Sequence, residues 1–227
     1  MTDGAIAVFV KTPGHSPLKT RLAAECGAAY AQAWYERACI AVGAVVRGAQ
    51  IELGLRAYWA VAEDDALESD CWRGLPVISQ GAGGLGERMS HVHARLVSEH
   101  RSGMLIGADA PQVTVELIAQ AADWLRAPEP RLALGPASDG GFWLFGGNVV
   151  LPLPAWTATR YSTPQTADEF RASLGGYGRW CTLPTLTDAD HRGDLRAVLD
   201  ALRSLPRPLP EQRALAEWML EHRDALA

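Results

Sequence analysis

"AIAVFVKTPGHSPLKTRL", residues 5–22, opens on a run of apolar residues and closes on a cluster of cations. Ala5 to Val10 has the length and composition of a buried strand, and the prolines at 13 and 17 mark a loop after it. Lys19, Thr20 and Arg21 then open a helix. A strand that passes into a helix through one loop is the first half of a βαβ unit, and that reading sets the fold class. Gly14 followed by Lys19-Thr20 approaches the phosphate-binding pattern G-x-x-x-x-G-K-[ST]. Leu18, however, stands where the second glycine is needed, and Gly14 is one residue too close. Pro17 also lacks an amide that a phosphate nest would use. What survives is charge. Lys19 and Arg21 at a helix start oppose the helix dipole unless an anion neutralises both, so their placement points to an anionic ligand.

Outward from this unit, apolar runs alternate with amphipathic stretches. The pattern predicts helices over 19–26 and 28–47, a strand near 51–61, a short helix around 64–71 and a short strand ending at Ser79. It continues with a helix over 85–100, a buried strand in "GMLIGAD" (103–109), a helix over 114–126, and strands near 131–137 and 142–147. A Pro-rich irregular stretch precedes a helix near 164–173, a strand near 179–183, and helices over 192–204 and 210–224. "RLALGPASDGGFWLFG" breaks the alternation, because two strand-like runs are joined by a short turn and not by a helix. The expected fold is α/β in three layers, αβα, with a mostly parallel sheet and an antiparallel hairpin-like insertion. No repeat or low-complexity linker interrupts the chain, so residues 1–227 are expected to form one domain. Leu215, Trp218 and Met219 share a face of the last helix and are expected to pack on that domain or to form a homodimer contact.

Composition narrows the function. A formal net charge of −5 argues against a general nucleic-acid binder, whose footprint would be basic. Cys26, Cys39, Cys71 and Cys181 are scattered and form no C-x-x-C pair, which fits a reducing, cytoplasmic setting. No apolar run approaches the ~18 residues of a membrane span.

In open α/β sheets, ligands sit at the carboxyl ends of the strands. The polar and glycine-rich segments collect at such ends. "QGAGGLGERM" (80–89) has its glycines where backbone can approach a flat ligand, Gln80 can read the edge of a base, and Arg88 lies one turn into the helix. Asp109 directly follows a buried strand, a natural place for a Mg²⁺ or Mn²⁺ ligand. Asp188 and Asp190 lie beyond another strand end and could supply a second carboxylate, although either could instead cap the next helix. Asp139 serves a turn or faces the same cleft. His91 and His93 are two apart on a helix and so diverge, unlike a metal-binding i, i+4 pair.

Together, "FVKTPGHSPLKTRL", "QGAGGLGERM", "GADAP", "GPASDGGFWLFG" and "TLTDADHRGDL" resemble a bacterial family of glycosyltransferases. That family belongs to the nucleotide-diphospho-sugar transferase superfamily, of GT-A fold. The chain is more distantly similar to the guanylyltransferases of phospholactate and molybdenum cofactor synthesis. The resemblance implies that Lys11, Lys19 and Arg21 hold the nucleotide's phosphates. It implies that Gln80, Gly81, Gly83, Gly86 and Arg88 line the nucleotide side, and that Asp139, Gly140 and Gly141 line the acceptor or sugar side. It implies a divalent metal on Asp109 with Asp188 or Asp190. The chain departs from the family pattern at His15-Ser16, where Pro-Gly is usual, and at Gly84, where an acid is usual.

The leading expectation is a metal-dependent transferase that takes a nucleotide-sugar and passes its glycosyl group to an unidentified acceptor, with Asp139 and Lys19 in catalytic roles. The second is a nucleotidyltransferase that uses a nucleoside triphosphate and a phosphorylated acceptor. The third, motivated by Gly84, is a nucleotide-binding module without catalysis.

Overall fold

The first strand, β1 (Ala5–Val10), divides its side chains between two cores. Ile6, Val8 and Val10 pack on one face of the sheet, and Ala5 and Ala7 on the other. A strand covered on both faces needs apolar residues throughout, which is why the run has no polar interruption. The structure is a computed structural model and describes residues 4–226.

From β1 the chain passes through the basic loop into α1 (Thr20–Cys26), then into the long α2 (Ala28–Leu53). Gly54, in the left-handed region at φ 70°, ends α2. β2 (Arg56–Val61) is followed by two 3₁₀ turns, Asp64–Ala66 and Asp70–Trp72, and by β3 (Val77–Ser79). Next come α3 (Leu85–His100), β4 (Gly103–Gly107), α4 (Val115–Leu125), β5 (Arg131–Pro136) and β6 (Phe142–Gly147). The chain ends through α5 (Leu153–Thr157), α6 (Thr166–Ser173), β7 (Arg179–Thr182), α7 (Arg192–Arg203), α8 (Pro210–Glu221) and a final 3₁₀ turn.

Among the described residues, seven strands form one sheet in the order β3-β2-β1-β4-β6-β5-β7. β6 is antiparallel to both β4 and β5, and the other pairings are parallel. The predicted hairpin is therefore present, but it is built into the sheet, with β6 between β4 and β5. Helices α1, α2, α4, α7 and α8 cover one face, and α3, α5 and α6 cover the other. This is the expected αβα arrangement.

Three local expectations change. The strand expected from residue 51 begins at Arg56, because α2 continues through Leu53 and carries Ile51 on its solvent face, 82 % exposed. The helix expected over 64–71 is two 3₁₀ turns. The stretch expected to be irregular contains α5, whose Trp156 is buried beside Phe145 and Phe170. In α8, Leu215 and Met219 lie in the core of this chain, and Trp218 stacks on His222 and meets Tyr30 and the Arg37 guanidinium.

The sheet's order reverses beside β1, whose neighbours are β2 on one side and β4 on the other. The carboxyl ends of β1 and β4 thus bound the crevice where an open α/β sheet takes its ligand.

Candidate functional site

Two adjoining cavities open along that rim, of about 690 Å³ and 630 Å³. Both are of a size that holds a small-molecule ligand. The larger is floored by apolar residues at the ends of β1 and β4, Phe9 and Ile106 among them, and takes Lys11, Lys19, Arg21 and Gln80 into its wall. The smaller is bordered by Asp109, Asp139, Asp188, Asp190 and Asp194, with Arg21 and His191 as its basic residues. Arg21, Asp109, Asp139 and Asp190 border both.

The cations of the first loop are paired with acids from the other strand ends. Lys19 Nζ lies 2.9 Å from Asp109 Oδ2, and Arg21 Nη1 donates to Asp190 Oδ2 at 2.5 Å. The Lys19 backbone sits at φ 44°, ψ 47°, a left-handed conformation that costs a non-glycine residue about 1–2 kcal/mol. Such strain at a cleft is a mark of a functional position, and here it aims an ammonium, 7 % exposed, at a carboxylate.

Asp188 is placed by two links. The Ala189 amide donates to the Asp109 carbonyl at 3.0 Å, and Gln112 Nε2 donates to the Thr187 carbonyl at 2.6 Å. Asp188 Oδ1 is buried and receives no hydrogen bond. Burial, with the charges of Asp139 and Asp109 nearby, pushes its carboxyl up to about 6. A buried carboxylate oxygen without a donor, beside two further carboxylates, is a group that a cation would satisfy. Among the described residues, no three His, Cys, Asp or Glu side chains gather as a ready-made metal cage. Mg²⁺ and Mn²⁺ commonly take one or two carboxylates and complete their shell with phosphates and water. Asp109 and Asp188 fit such a shared site. Asp190 is engaged by Arg21, and its own amide and that of His191 are capped by Asp194 Oδ2 at 3.0 and 2.7 Å.

The glycine loop is arranged differently from the expectation. Gln80 lines the larger cavity and is 4 % exposed, but its amide nitrogen donates to the Val10 and Ala60 carbonyls at 3.1 and 2.8 Å. Those bonds leave its carbonyl oxygen as the group to meet a ligand. Gly81, Gly83, Gly86 and Arg88 do not border the cavity. Arg88 Nε turns back to the Gly83 carbonyl at 2.9 Å, and Glu87 accepts from the Gly84 amide at 2.6 Å. Where the family pattern has an acid, Glu87 thus supplies a carboxylate to the same amide. Gly86 is a packing glycine, since a Cβ there would meet the Trp156 carbonyl oxygen at 2.8 Å.

On the far wall, Asp139 is exposed, and its Oδ1 accepts from the Gly141 amide at 2.7 Å. Gly140, at φ 90°, presses so close to Pro164 that a Cβ would lie 2.0 Å from its carbonyl oxygen. Beside this contact, Ser162, at φ 61°, and Thr163 border both cavities, and Tyr161 borders the larger.

Residues that sequence reasoning passed over also build the site. Tyr35 borders the larger cavity from α2, where its spacing reads as a core position. Gln212 of α8 donates to the Pro111 and Val113 carbonyls at 2.8 and 2.9 Å and so steadies the loop after Asp109. Neither lies in a glycine-rich or acidic motif, so no local signal marks it.

The geometry defines an α/β protein with two adjoining pockets at the strand ends, one bordered by three cations and three aspartates and the other by five aspartates. A protein described as a candidate nucleotide-diphospho-sugar transferase, from Desulfovibrio desulfuricans G20, shares this fold. It is 24% identical, with a TM-score of 0.79, over 100% of this chain and 97% of the other. More distant likenesses are a cytidylyltransferase from Leptospira borgpetersenii serovar Hardjo-bovis and a CMP:2-keto-3-deoxy-manno-octonic acid synthetase complexed with CTP. The first is 10% identical with a TM-score of 0.54, covering 100% of this chain and 97% of the other. The second is 11% identical with a TM-score of 0.50, covering 90% and 100%. No curated protein matches the chain. The family profile described as "Uncharacterized protein conserved in bacteria (DUF2064)" matches residues 42–163, and the chain belongs to that family.

Proposed function

We propose that the chain is a divalent-metal-dependent glycosyltransferase, folded as one domain, that binds a nucleotide-diphospho-sugar in the larger cavity and admits the acceptor through the smaller one. The observation that carries this reading is the distribution of cations, because Lys11 and Lys19 border the larger cavity and not the smaller. Lys11, Lys19 and Arg21 stand on the donor side, as a diphosphate requires. The smaller cavity is bordered by five aspartates, of which Asp109, Asp139 and Asp190 also border the larger, and its His191 is paired with Glu25. A hydroxyl-bearing acceptor without phosphate suits that surface, whereas a phosphorylated one would meet like charge.

In the proposed step, an acceptor oxygen bonds to the sugar's anomeric carbon as the bond from that carbon to the diphosphate oxygen breaks. The nucleoside diphosphate leaves, and the hydroxyl proton passes to a carboxylate, for which Asp139 is the exposed candidate. Its Oδ1 is held by the Gly141 amide, which orients the carboxylate before the acceptor arrives. Lys19 and Arg21 exchange their internal acids for the diphosphate and neutralise charge on the leaving group. A divalent cation held by Asp109 and Asp188 would add to that neutralisation when bound.

The second reading, nucleotidyl transfer, is favoured by one feature, the presence of three cations where a triphosphate would also be accommodated. Product analysis separates the two. Nucleotide-sugars incubated with the protein and Mn²⁺ are expected to release nucleoside diphosphate, and Asp109→Asn is expected to abolish that release. Pyrophosphate release from a triphosphate in the presence of a phosphorylated acceptor would favour the second reading.

A further inference from the structure

Beyond the end of β1, the chain leaves the sheet and would ordinarily expose its amides. A phosphate nest uses such amides for its ligand. Here the protein consumes the first two. The Lys11 amide donates to the Tyr35 hydroxyl at 2.8 Å, and that hydroxyl donates back to the Lys11 carbonyl at 3.2 Å. The Thr12 amide donates to Glu63 Oε2 at 2.8 Å, and Trp72 Nε1 donates to Thr12 Oγ1 at 3.1 Å in the buried interior. Glu63 lies between β2 and the first 3₁₀ turn, far from the loop in sequence.

A carboxylate set behind a basic loop is an unexpected choice, since it carries the same charge as the anion the loop would bind. Burial pushes the Glu63 carboxyl up, but hydrogen bonding outweighs this and holds it below its ordinary value; Oε2 accepts from the Thr12 amide, and Oε1 is buried without a hydrogen-bond partner. Glu63 thus behaves as a permanent internal anion for the start of this loop.

We propose that Glu63 is the positioning residue of this loop: it accepts the Thr12 amide's hydrogen bond from behind and so fixes the start of the loop, from which the side chains of Lys11, Lys19 and Arg21 grip the phosphates. The proposal rests on the reading of the larger cavity as a nucleotide site. Fixing the loop before the ligand arrives removes an ordering cost from binding.

The test compares wild type, Glu63→Gln and Glu63→Ala in two measurements. The first is hydrogen exchange at the Thr12 amide without ligand, and the second is calorimetric titration with CDP, GDP and UDP in Mg²⁺. Glutamine keeps an oxygen for the Thr12 amide, so exchange and affinity are expected to stay within about threefold of wild type. Alanine is expected to remove the protection and to weaken the best-binding diphosphate at least tenfold. Wild-type protection or wild-type affinity in Glu63→Ala overturns the proposal. Should Glu63→Ala fail to fold, Glu63→Asp decides: it withdraws the carboxylate from the Thr12 amide by one methylene, and unchanged Thr12 amide exchange would overturn the proposal. If wild type binds none of the diphosphates, the nucleotide reading fails, and the exchange measurements alone judge the positioning role.

Discussion

Replacing Lys19 with methionine should move two affinities in opposite directions. Lys19 Nζ lies 2.9 Å from Asp109 Oδ2, and the side chains are 7 % and 42 % exposed. At that separation the gross attraction is about 6 kcal/mol for an effective dielectric near 20. The partly exposed aspartate is screened and the lysine is desolvated, so the net worth of the pair is nearer ~1 kcal/mol. Methionine keeps an unbranched stem in the same place, so stability should change by no more than about that amount. A charge-assisted contact to a phosphate is worth ~2–3 kcal/mol, so nucleoside diphosphate affinity should fall about 30- to 160-fold. Asp109 loses its internal counter-ion at the same time. Mn²⁺ measured without nucleotide should therefore bind about fivefold more tightly, the equivalent of the ~1 kcal/mol the pair had contributed. Calorimetric titrations of Mn²⁺ and of the diphosphate into wild type and Lys19→Met report both numbers. The reasoning is refuted if the variant binds Mn²⁺ more weakly, or if diphosphate affinity changes by less than about threefold.

Two further predictions concern the frame around the site. His93 is fully buried between Phe145 and Trp156, and burial lowers its pKa to about 4. The unfolded chain protonates this residue near its ordinary 6.5, so its contribution to stability is complete above that pH and is lost as pH falls toward about 4, by up to ~3 kcal/mol. Asp188 acts in the opposite sense, because its raised value favours the folded state at low pH and that benefit is lost as pH rises to about 6. The measurement is accordingly the pH dependence of urea unfolding in wild type minus that in His93→Leu, and equal slopes would count against the assignment. Gly140→Ala should cost about 2–5 kcal/mol, from the positive φ and from a Cβ 2.0 Å from the Pro164 carbonyl oxygen. Denaturant unfolding within ~1 kcal/mol of wild type would show that the two walls are not wedged together there.

Much of the frame is legible in the sequence because it rests on local signals. β1 and α3 follow from an unbroken apolar run and from a glycine-rich start, and they occupy Ala5–Val10 and Leu85–His100 as expected. The boundary near residue 51 is not legible, since "QIELGL" is apolar enough for a strand and only Gly54 at φ 70° shows where the helix stops. At the site, the residue types are legible but their partners are not. Lys19 and Arg21 announce an anion, yet nothing in residues 11–21 says that Asp109 and Asp190 occupy them in the absence of a ligand. Gln80 reads as a base-edge donor until the main chain is in place to take both of its amide hydrogens. Tyr35, Glu63 and Gln212 act across 24, 51 and about a hundred residues, a range at which spacing carries no information.

The central claim is that a nucleotide-sugar's diphosphate lies between the Lys19/Arg21 helix start and the Asp109 side, with a phosphate-free acceptor opposite. The most direct measurement is the identity of the phosphate product when wild type is given nucleotide-sugars, and separately nucleoside triphosphates, with Mn²⁺ and a set of phosphorylated and unphosphorylated acceptors. Nucleoside diphosphate released from a nucleotide-sugar, enhanced by an unphosphorylated acceptor and lost in Asp109→Asn, is the predicted result. Pyrophosphate released only from a triphosphate with a phosphorylated acceptor would contradict it.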